Sequence, residues 1–395
     1  MRQLQSLLLQ FFDIFCHIFP VSKNKVFFLS FAGQYNDNPK YISEKLHEMF
    51  PHMEQYWCIS PKSKQNDIPG YIHKLTYGSF YSIFIKNRCG VVITNGAGYY
   101  LVNCERKLLF KFKKHLKNRK QFDLATWHGF PIKHIGAQIP QEGHWSHESS
   151  FSTSDMMLSG YRREKELLEM AFINLMPVRL LGTPRTDIFF NDTEERKAAV
   201  KQKLGLPNKK VIIYAPTYRY STKDSGIEQL NMINLKVLLS ELGKKFSGEW
   251  IFVMRVHNLV LMEIKKSGLL DKYHGQLFDG NQFDDMNEYL YVSDILLTDY
   301  SSCIYDVALT NKPCFMFAHD RKYYEEHERG LYTQLSDFPY PFSTSFEELI
   351  SDIQGFDEHS FEAKRQSFLR QIGNINDGKA SQRVLEYLRD NHYLG

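Results

Sequence analysis

The sequence predicts two successive doubly wound α/β domains, and three observations carry that prediction. Short apolar runs recur along the 395 residues, and segments of helical periodicity separate them. The alternation pauses once, at a polar stretch near the middle, and then restarts. Uninterrupted apolar strands between helices are what a parallel sheet covered on both faces requires. The chain is long enough for two cores of ordinary size.

Residues 1–22 come first. Leu4, Leu7, Leu8, Phe11, Phe15, Ile18 and Phe19 recur at helical spacing, while Gln3, Gln10, Asp13 and His17 interrupt the apolar run. A membrane-spanning helix needs about 20 predominantly apolar residues, and this segment is too interrupted. A secretory leader needs a basic start and a small-residue cleavage site. Arg2 is a weak start, and Phe19-Pro20 is a poor place to cleave. The segment reads as an amphipathic helix that lies on a membrane or packs on the protein body.

The first domain is expected over residues 23–195. Its strand runs are VFFLS (from Val26), YWCIS (from Tyr56), VVITN (from Val91), FDLATWH (from Phe122) and MMLSG (from Met156). Helical patterns over Lys40 to Phe50 and Arg162 to Met170 lie between them. The polar helical stretch Asn191 to Lys210, closing with Gly205 and Pro207, reads as the domain junction. The second domain, residues 196–375, repeats the alternation with VIIYAPT (from Val211), WIFVMRVH (from Trp250), QLFDG (from Gln276), DILLTD (from Asp294) and CFMFA (from Cys314). Residues 376–395 read as a terminal helix packing back.

Composition narrows the class of protein. Hydrophobic residues at 43% and charged residues at 24% are those of a globular chain without low-complexity blocks. Six scattered cysteines include no Cys-x-x-Cys pair, which suits a reducing cytosol and no zinc site. The net charge is only +4, yet the run from Arg106 to Lys120 carries eight Lys or Arg and no acid. Such a block reads as a solvated loop or as a contact for phosphate-rich partners. Its interleaved Leu108, Leu109, Phe110, Phe112 and Leu116 favour an anionic membrane surface over nucleic acid.

Polar residues collect where strands end, which is where doubly wound sheets bind ligands. His128 closes FDLATWH. GTPRTD, with Arg185, follows VRLL; APTYR, with Arg219, follows VIIY; Arg255 and His257 end another run; and Thr298, Asp299, Ser301 and Ser302 follow DILL. Ser301 and Ser302 precede CIYDVALTN, which reads as a helix whose N-terminus suits an anion. The plain alternative is that Asp299 or Ser301 only caps that helix. Arg255 and His257 flank Val256, so on an extended strand both point to one face and suit a diphosphate. Arginines, imidazoles and hydroxyls in this arrangement indicate a nucleotide-diphosphate-like ligand.

Taken in order, SFAGQYNDNPKYI, WHGFPIKHIG, GTPRTD, YAPTYR, RVH, TDYSSCIYDVALTNKP, DRKYYEEHERG and DGKASQRV span nearly the whole chain. This set resembles the CDP-glycerol glycerophosphotransferase family, the enzymes of teichoic acid and related polymer synthesis. The resemblance implies two Rossmann-like domains of the glycosyltransferase-B type, working as a peripheral protein at the cytoplasmic face of the cell membrane. It implies an N-terminal acceptor domain and a C-terminal domain binding CDP-glycerol or CDP-ribitol. The acceptor it implies is a lipid-linked saccharide or a polyol-phosphate chain. The family's two essential histidines fall on His128 and His257, with His128 the general base. By the same resemblance Arg219, Arg255 and His257 neutralise the diphosphate, while Ser301, Ser302, Thr298 and Asp299 form its cradle. Gly129 shapes a turn, and Lys133, Arg185 and Asp306 are supporting residues.

Departures from the family pattern are Phe130-Pro131-Ile132-Lys133 in place of Thr-Pro-Leu-Lys, Asn258 in place of Pro, and Thr186 in place of Asn. They touch substrate detail more than chemistry. No dinucleotide fingerprint, Walker-type loop or metal-ligand spacing occurs. No tightly bound cofactor or metal is therefore expected, while a loosely held Mg²⁺ on the donor diphosphate stays open. A sugar transferase or epimerase using a UDP-sugar leaves the WHG, RVH and TDYSS set unexplained. A non-catalytic membrane or nucleic-acid binding protein makes no use of the strand-end histidines. Glycerol against ribitol, primer against polymerase, wall teichoic acid against capsule, and oligomeric state are not fixed by the sequence.

Overall fold

The computed structural model describes residues 2–63, 68–95, 118–139, 154–173, 176–217, 227–327 and 330–395. Among them the chain forms two parallel sheets. The first contains β1 (Ser22–Leu29), β2 (Glu54–Ile59), β3 (Ile72–Thr76), β4 (Cys89–Thr94), β5 (Phe122–Ala125), β6 (Met156–Ser159) and β7 (Val178–Leu180), in the order β3-β2-β1-β4-β5-β6-β7. The second contains β8 (Lys210–Ala215), β9 (Trp250–Met254), β10 (Leu277–Asp279), β11 (Ile295–Thr298), β12 (Cys314–Phe317) and β13 (Phe342–Ser343), in the order β10-β9-β8-β11-β12-β13.

Counted from its own first strand, each sheet therefore reads 3-2-1-4-5-6, and β7 extends the first. In that order the winding reverses between β1 and β4 and between β8 and β11, and ligands bind beyond the carboxyl ends at such reversals. Register sets what stands side by side there: Leu29 pairs with Thr94 and Thr94 with Ala125, while Thr298 pairs with Ala215. Every residue of β4, β5, β6, β9, β11 and β12 is buried. Burial on both faces is why these strands read as continuous apolar runs.

The chain forms two compact units. One comprises Met1–His128, Ile135–Phe190 and Asn374–Gly395; the other comprises Gly129–His134 and Asn191–Gly373. The sequence placed its boundary after residue 195 and kept residues 129–134 in the first domain. They join the second unit because Phe130 stacks on Tyr305 at 3.8 Å, Tyr332 N donates to Ile132 O, and His134 N donates to Gly330 O.

In the first unit, Val26, Phe28, Trp57, Ile93 and Leu124 share a core with Val384, Leu385 and Leu388 of the helix Ala380–Asp390. Asp187 caps that helix by accepting from Ala380 N and Ser381 N at 2.9 and 2.8 Å. Gly182, at φ +99°, lets the helix approach so closely that a Cβ there would stand 2.5 Å from that of Ala380. The second unit's core joins Ile212, Phe252, Leu297 and Phe317 to Leu238, Leu242 and Leu349 of the covering helices.

Helix α1 (Arg2–Cys16) belongs to the first unit and packs on α3 (Phe80–Lys86). Phe12 meets Phe80 edge to face at 5.1 Å, and Asp13 pairs with Lys86 Nζ at 2.7 Å and accepts from Asn87 Nδ2. Leu8, Phe11 and Phe15 of the helix, and Ile18 just after it, remain 53–68% exposed, so the docked helix leaves apolar side chains uncovered. No helix among the described residues is long and apolar enough to cross a membrane. The basic run from Arg106 to Lys117 lies outside the described residues.

Candidate active site

His128 stands three residues beyond β5, and its ring is exposed. Its Nδ1 lies 3.2 Å from the backbone oxygen of Asn95, the residue after β4. A carbonyl only accepts, so Nδ1 carries a proton and donates; in the neutral ring the lone pair then sits on Nε2. The Trp127 indole lies 4.2 Å from the imidazole, centroid to centroid, and restricts its rotation. Trp127 itself holds φ +57°, a left-handed conformation costly for an aromatic residue. Gly129 follows at φ +143°, which a glycine adopts without strain, so its role is to turn the chain.

Beneath His128 lies a polar knot that the sequence did not single out residue by residue. Helix α2 (Asp37–Met49) opens at the carboxyl end of β1. Asp37 accepts from Arg185 Nη1 at 3.1 Å and from Asn95 Nδ2 at 2.8 Å. Asn38 donates to Thr126 O and Trp127 O and accepts from Arg185 N. Arg185 is 4% exposed, so its charge is neutralised inside the knot and its role is support. Three strand-end motifs, NDNP, TWH and TPR, thus meet at one place. Asn95 could have been found by applying the strand-end rule to VVITN. The Asp-Asn-Pro opening of α2 carries the helix-start residue types that mark it.

In the second unit the β8/β11 reversal is built around Asp299. Its Oδ1 accepts from Thr217 N at 2.8 Å and from Tyr300 N at 2.5 Å, tying the loops after the two strands together. Thr298 Oγ1 donates to Ala215 O, closing the same junction. Both residues shape the loops from a buried position. Neither Asp299 nor Ser301 caps the following helix, and Ser302 at its N-cap makes no side-chain cap bond. That helix runs only from Cys303 to Val307, shorter than the sequence suggested. Thr310 ends it, its hydroxyl and N–H both donating to Val307 O. Burial pushes the Cys303 thiol up to about 12, so it stays protonated at neutral pH and is no nucleophile. Asp306 is buried on the same helix and accepts from Asn287 Nδ2 at 3.5 Å.

Arg255 is held by main chain. Its Nη1 donates to Gly280 O and Phe283 O, and its Nη2 to Asp284 O, all at 2.6–2.7 Å. Tyr289 covers the guanidinium from 5.1 Å. Burial works against its charge, and Tyr289, Asp285 and Asp284 work in favour of it. The group braces the 280–284 loop from a half-buried position. His257, two residues on, is exposed. Lys133 lies 5.5 Å over the Tyr324 ring and pairs in an isolated antiparallel bridge with Leu331. Arg219 lies outside the described residues. Among the described residues no group of three His, Cys, Asp or Glu is placed to hold a metal.

Two parallel sheets of one strand order, an exposed histidine near one reversal and a loop junction tied by Asp299 at the other, define a GT-B-like α/β protein. The chain belongs to the CDP-glycerol:poly(glycerophosphate) glycerophosphotransferase family, whose model matches residues 11–390. It is similar to teichoic acid poly(glycerol phosphate) polymerases of Staphylococcus epidermidis (27% identical, 92% of this chain and 50% of the relative) and Bacillus subtilis (28%, 93% and 48%). The chain thus spans about half the length of these curated relatives. A teichoic acid glycerol-phosphate transferase of Staphylococcus aureus is 26% identical over 92% of both chains. Among solved structures, wall teichoic acid polymerase TagF superimposes with a TM-score of 0.79 at 25% identity, over 98% of this chain and 93% of that one. A TagF variant soaked with CDPG gives 0.77 at 25%, over 94% and 89%. The UDP-GlcNAc 2-epimerase of Methanocaldococcus jannaschii shares the fold alone (TM-score 0.50, 12% identity, 93% of this chain and 99% of that one).

Proposed function

We propose that the protein transfers a polyol phosphate, glycerol phosphate in the first instance, from a CDP-linked donor to a hydroxyl of a teichoic-acid-type acceptor. His128 Nε2 removes the proton from the acceptor hydroxyl. The acceptor oxygen bonds to the phosphorus next to glycerol, and the phosphoanhydride bond breaks with its electron pair going to CMP. The observation that carries this reading is the fixed, exposed His128 in a chain of this family, since a general base needs a defined tautomer and an accessible lone pair. His257, Ser301, Ser302 and the backbone N–H groups after β11 are assigned to the donor phosphates, with Arg219 completing the set. Any Mg²⁺ would arrive on the donor diphosphate. The test is CMP release from CDP-glycerol, with CDP-ribitol in a parallel arm, given an acceptor primed with glycerol phosphate. Release by wild type and its loss in His128→Ala support the reading; release that survives in His128→Ala overturns the base.

We further propose that the exposed side of α1 rests on the membrane surface where the lipid-linked acceptor resides, which places the protein at the cytoplasmic face as a peripheral protein. Leu8, Phe11, Phe15 and Ile18 support this, with Phe80 and Tyr81 of α3 exposed close by. Phe11→Ser/Phe15→Ser is expected to lower binding to vesicles containing phosphatidylglycerol at least tenfold; unchanged binding removes α1 as the contact.

A further inference from the structure

We propose that Asp37 and Asn38, the two residues that open α2, are positioning residues for His128: they set its main chain and its ring without contributing an atom to the reaction. This deepens the reading of His128 as the base and rests on it.

The case begins with Asn38, which is 1% exposed and has no route to a ligand. Its Nδ2 donates to two successive carbonyls, Thr126 O at 3.1 Å and Trp127 O at 3.0 Å, and its Oδ1 accepts Arg185 N at 3.0 Å. Only a carboxamide supplies two donors and an acceptor on so short a stem. The second of those carbonyls belongs to the peptide that leads into His128. It also belongs to the residue held at φ +57°. Such a conformation costs about 1–3 kcal/mol and persists only where surrounding contacts over-determine it. The Asn38 clamp is that contact.

Asp37 holds the ring. One carboxylate oxygen accepts from Arg185 Nη1 and from Asn38 N, and the other accepts from Asn95 Nδ2. Asn95 in turn presents the backbone oxygen that receives His128 Nδ1. Asp37 too is left-handed, at φ +56°. Two strained residues at one spot, joined by buried polar contacts and both leading to one imidazole, exceed what starting a helix requires.

The experiment uses the full chain. Steady-state kinetics, calorimetric binding of CDP-glycerol and ¹⁵N-imidazole NMR are compared for wild type, Asn38→Asp, Asp37→Asn and His128→Ala, the last identifying the His128 signals by their loss. Asn38→Asp keeps the acceptor for Arg185 N but turns the donor towards two carbonyls into a repelling oxygen. It is expected to lower kcat about 100-fold, as a misplacement near 1 Å does, with the Kd for CDP-glycerol within twofold of wild type. Asp37→Asn is expected to lower kcat about tenfold and to convert a pure Nδ1–H tautomer into a mixture. Should either variant fail to fold, the other carries the test. Wild-type kcat with an unchanged tautomer overturns the proposal, and so does a kcat loss accompanied by an equal loss of donor binding. Turnover surviving in His128→Ala overturns the base assignment instead, and the tautomer measurement still decides the positioning.

Discussion

The two sheets share a strand order, yet the ends of their strands are built differently. At the β1/β4/β5 ends, side chains hold a side chain: Asp37, Asn38, Asn95 and Arg185 fix one imidazole. At the β8/β11 ends, one carboxylate, Asp299, holds main chain, accepting from Thr217 N and Tyr300 N. On the proposed function, the difference follows from the task. A base must be aimed to within tenths of an ångström and kept in one tautomer, which takes a network. A phosphate accepts from any well-placed donor, so a pinned loop suffices. The same order of strands therefore locates a site without dictating its chemistry.

The sharpest way to break this contrast is to remove the imidazole. His128→Ala is expected to lower kcat about 1,000-fold, within the range of lost general base catalysis, while CDP-glycerol still binds, as calorimetry would record. Loss of donor binding in that variant would merge the two sites into one. Next in size, Asp299→Ala should leave Thr217 N and Tyr300 N without their acceptor and loosen the junction. An unmet buried hydrogen bond costs about 1–3 kcal/mol, so the Kd for CDP-glycerol is expected to rise about tenfold with kcat at saturation nearly unchanged. A fall in kcat alone would refute the division. The smallest effect is expected from Arg255→Lys, which cannot reach three carbonyls at once. It should lower the melting temperature of the second unit by roughly 5 °C and leave donor affinity within threefold. A large loss of affinity would assign Arg255 to the phosphate site as well.

Much of this was legible in the sequence. Strands covered on both faces write themselves as apolar runs, so β1, β2, β4, β5, β6, β8, β9, β11 and β12 could be read directly, and QLFDG marks β10. Edge strand β3 could not, because its exposed His73, Lys74 and Thr76 break the pattern. The strand-end rule found His128, Arg185 and the residues around Asp299. It could not see the knot, since Asn38 and Thr126 are 88 residues apart and meet only when the sheet forms. Nor could it foresee the fate of Arg255, whose partners are main-chain carbonyls of a loop and leave no mark in the side-chain code.

The first unit is written in separated pieces, with the entire stretch Asn191–Gly373 inserted between Phe190 and Asn374. Val384, Leu385 and Leu388 nevertheless complete its core, and Tyr393 stacks on Phe122 at 3.9 Å. On the ribosome, then, the unit that begins synthesis first is finished after the one that follows it. Until the helix Ala380–Asp390 emerges, the part of that core which Val384, Leu385 and Leu388 cover stays open to chaperones or to aggregation. The first sheet thus acquires its full covering only after the whole of the second unit has been made.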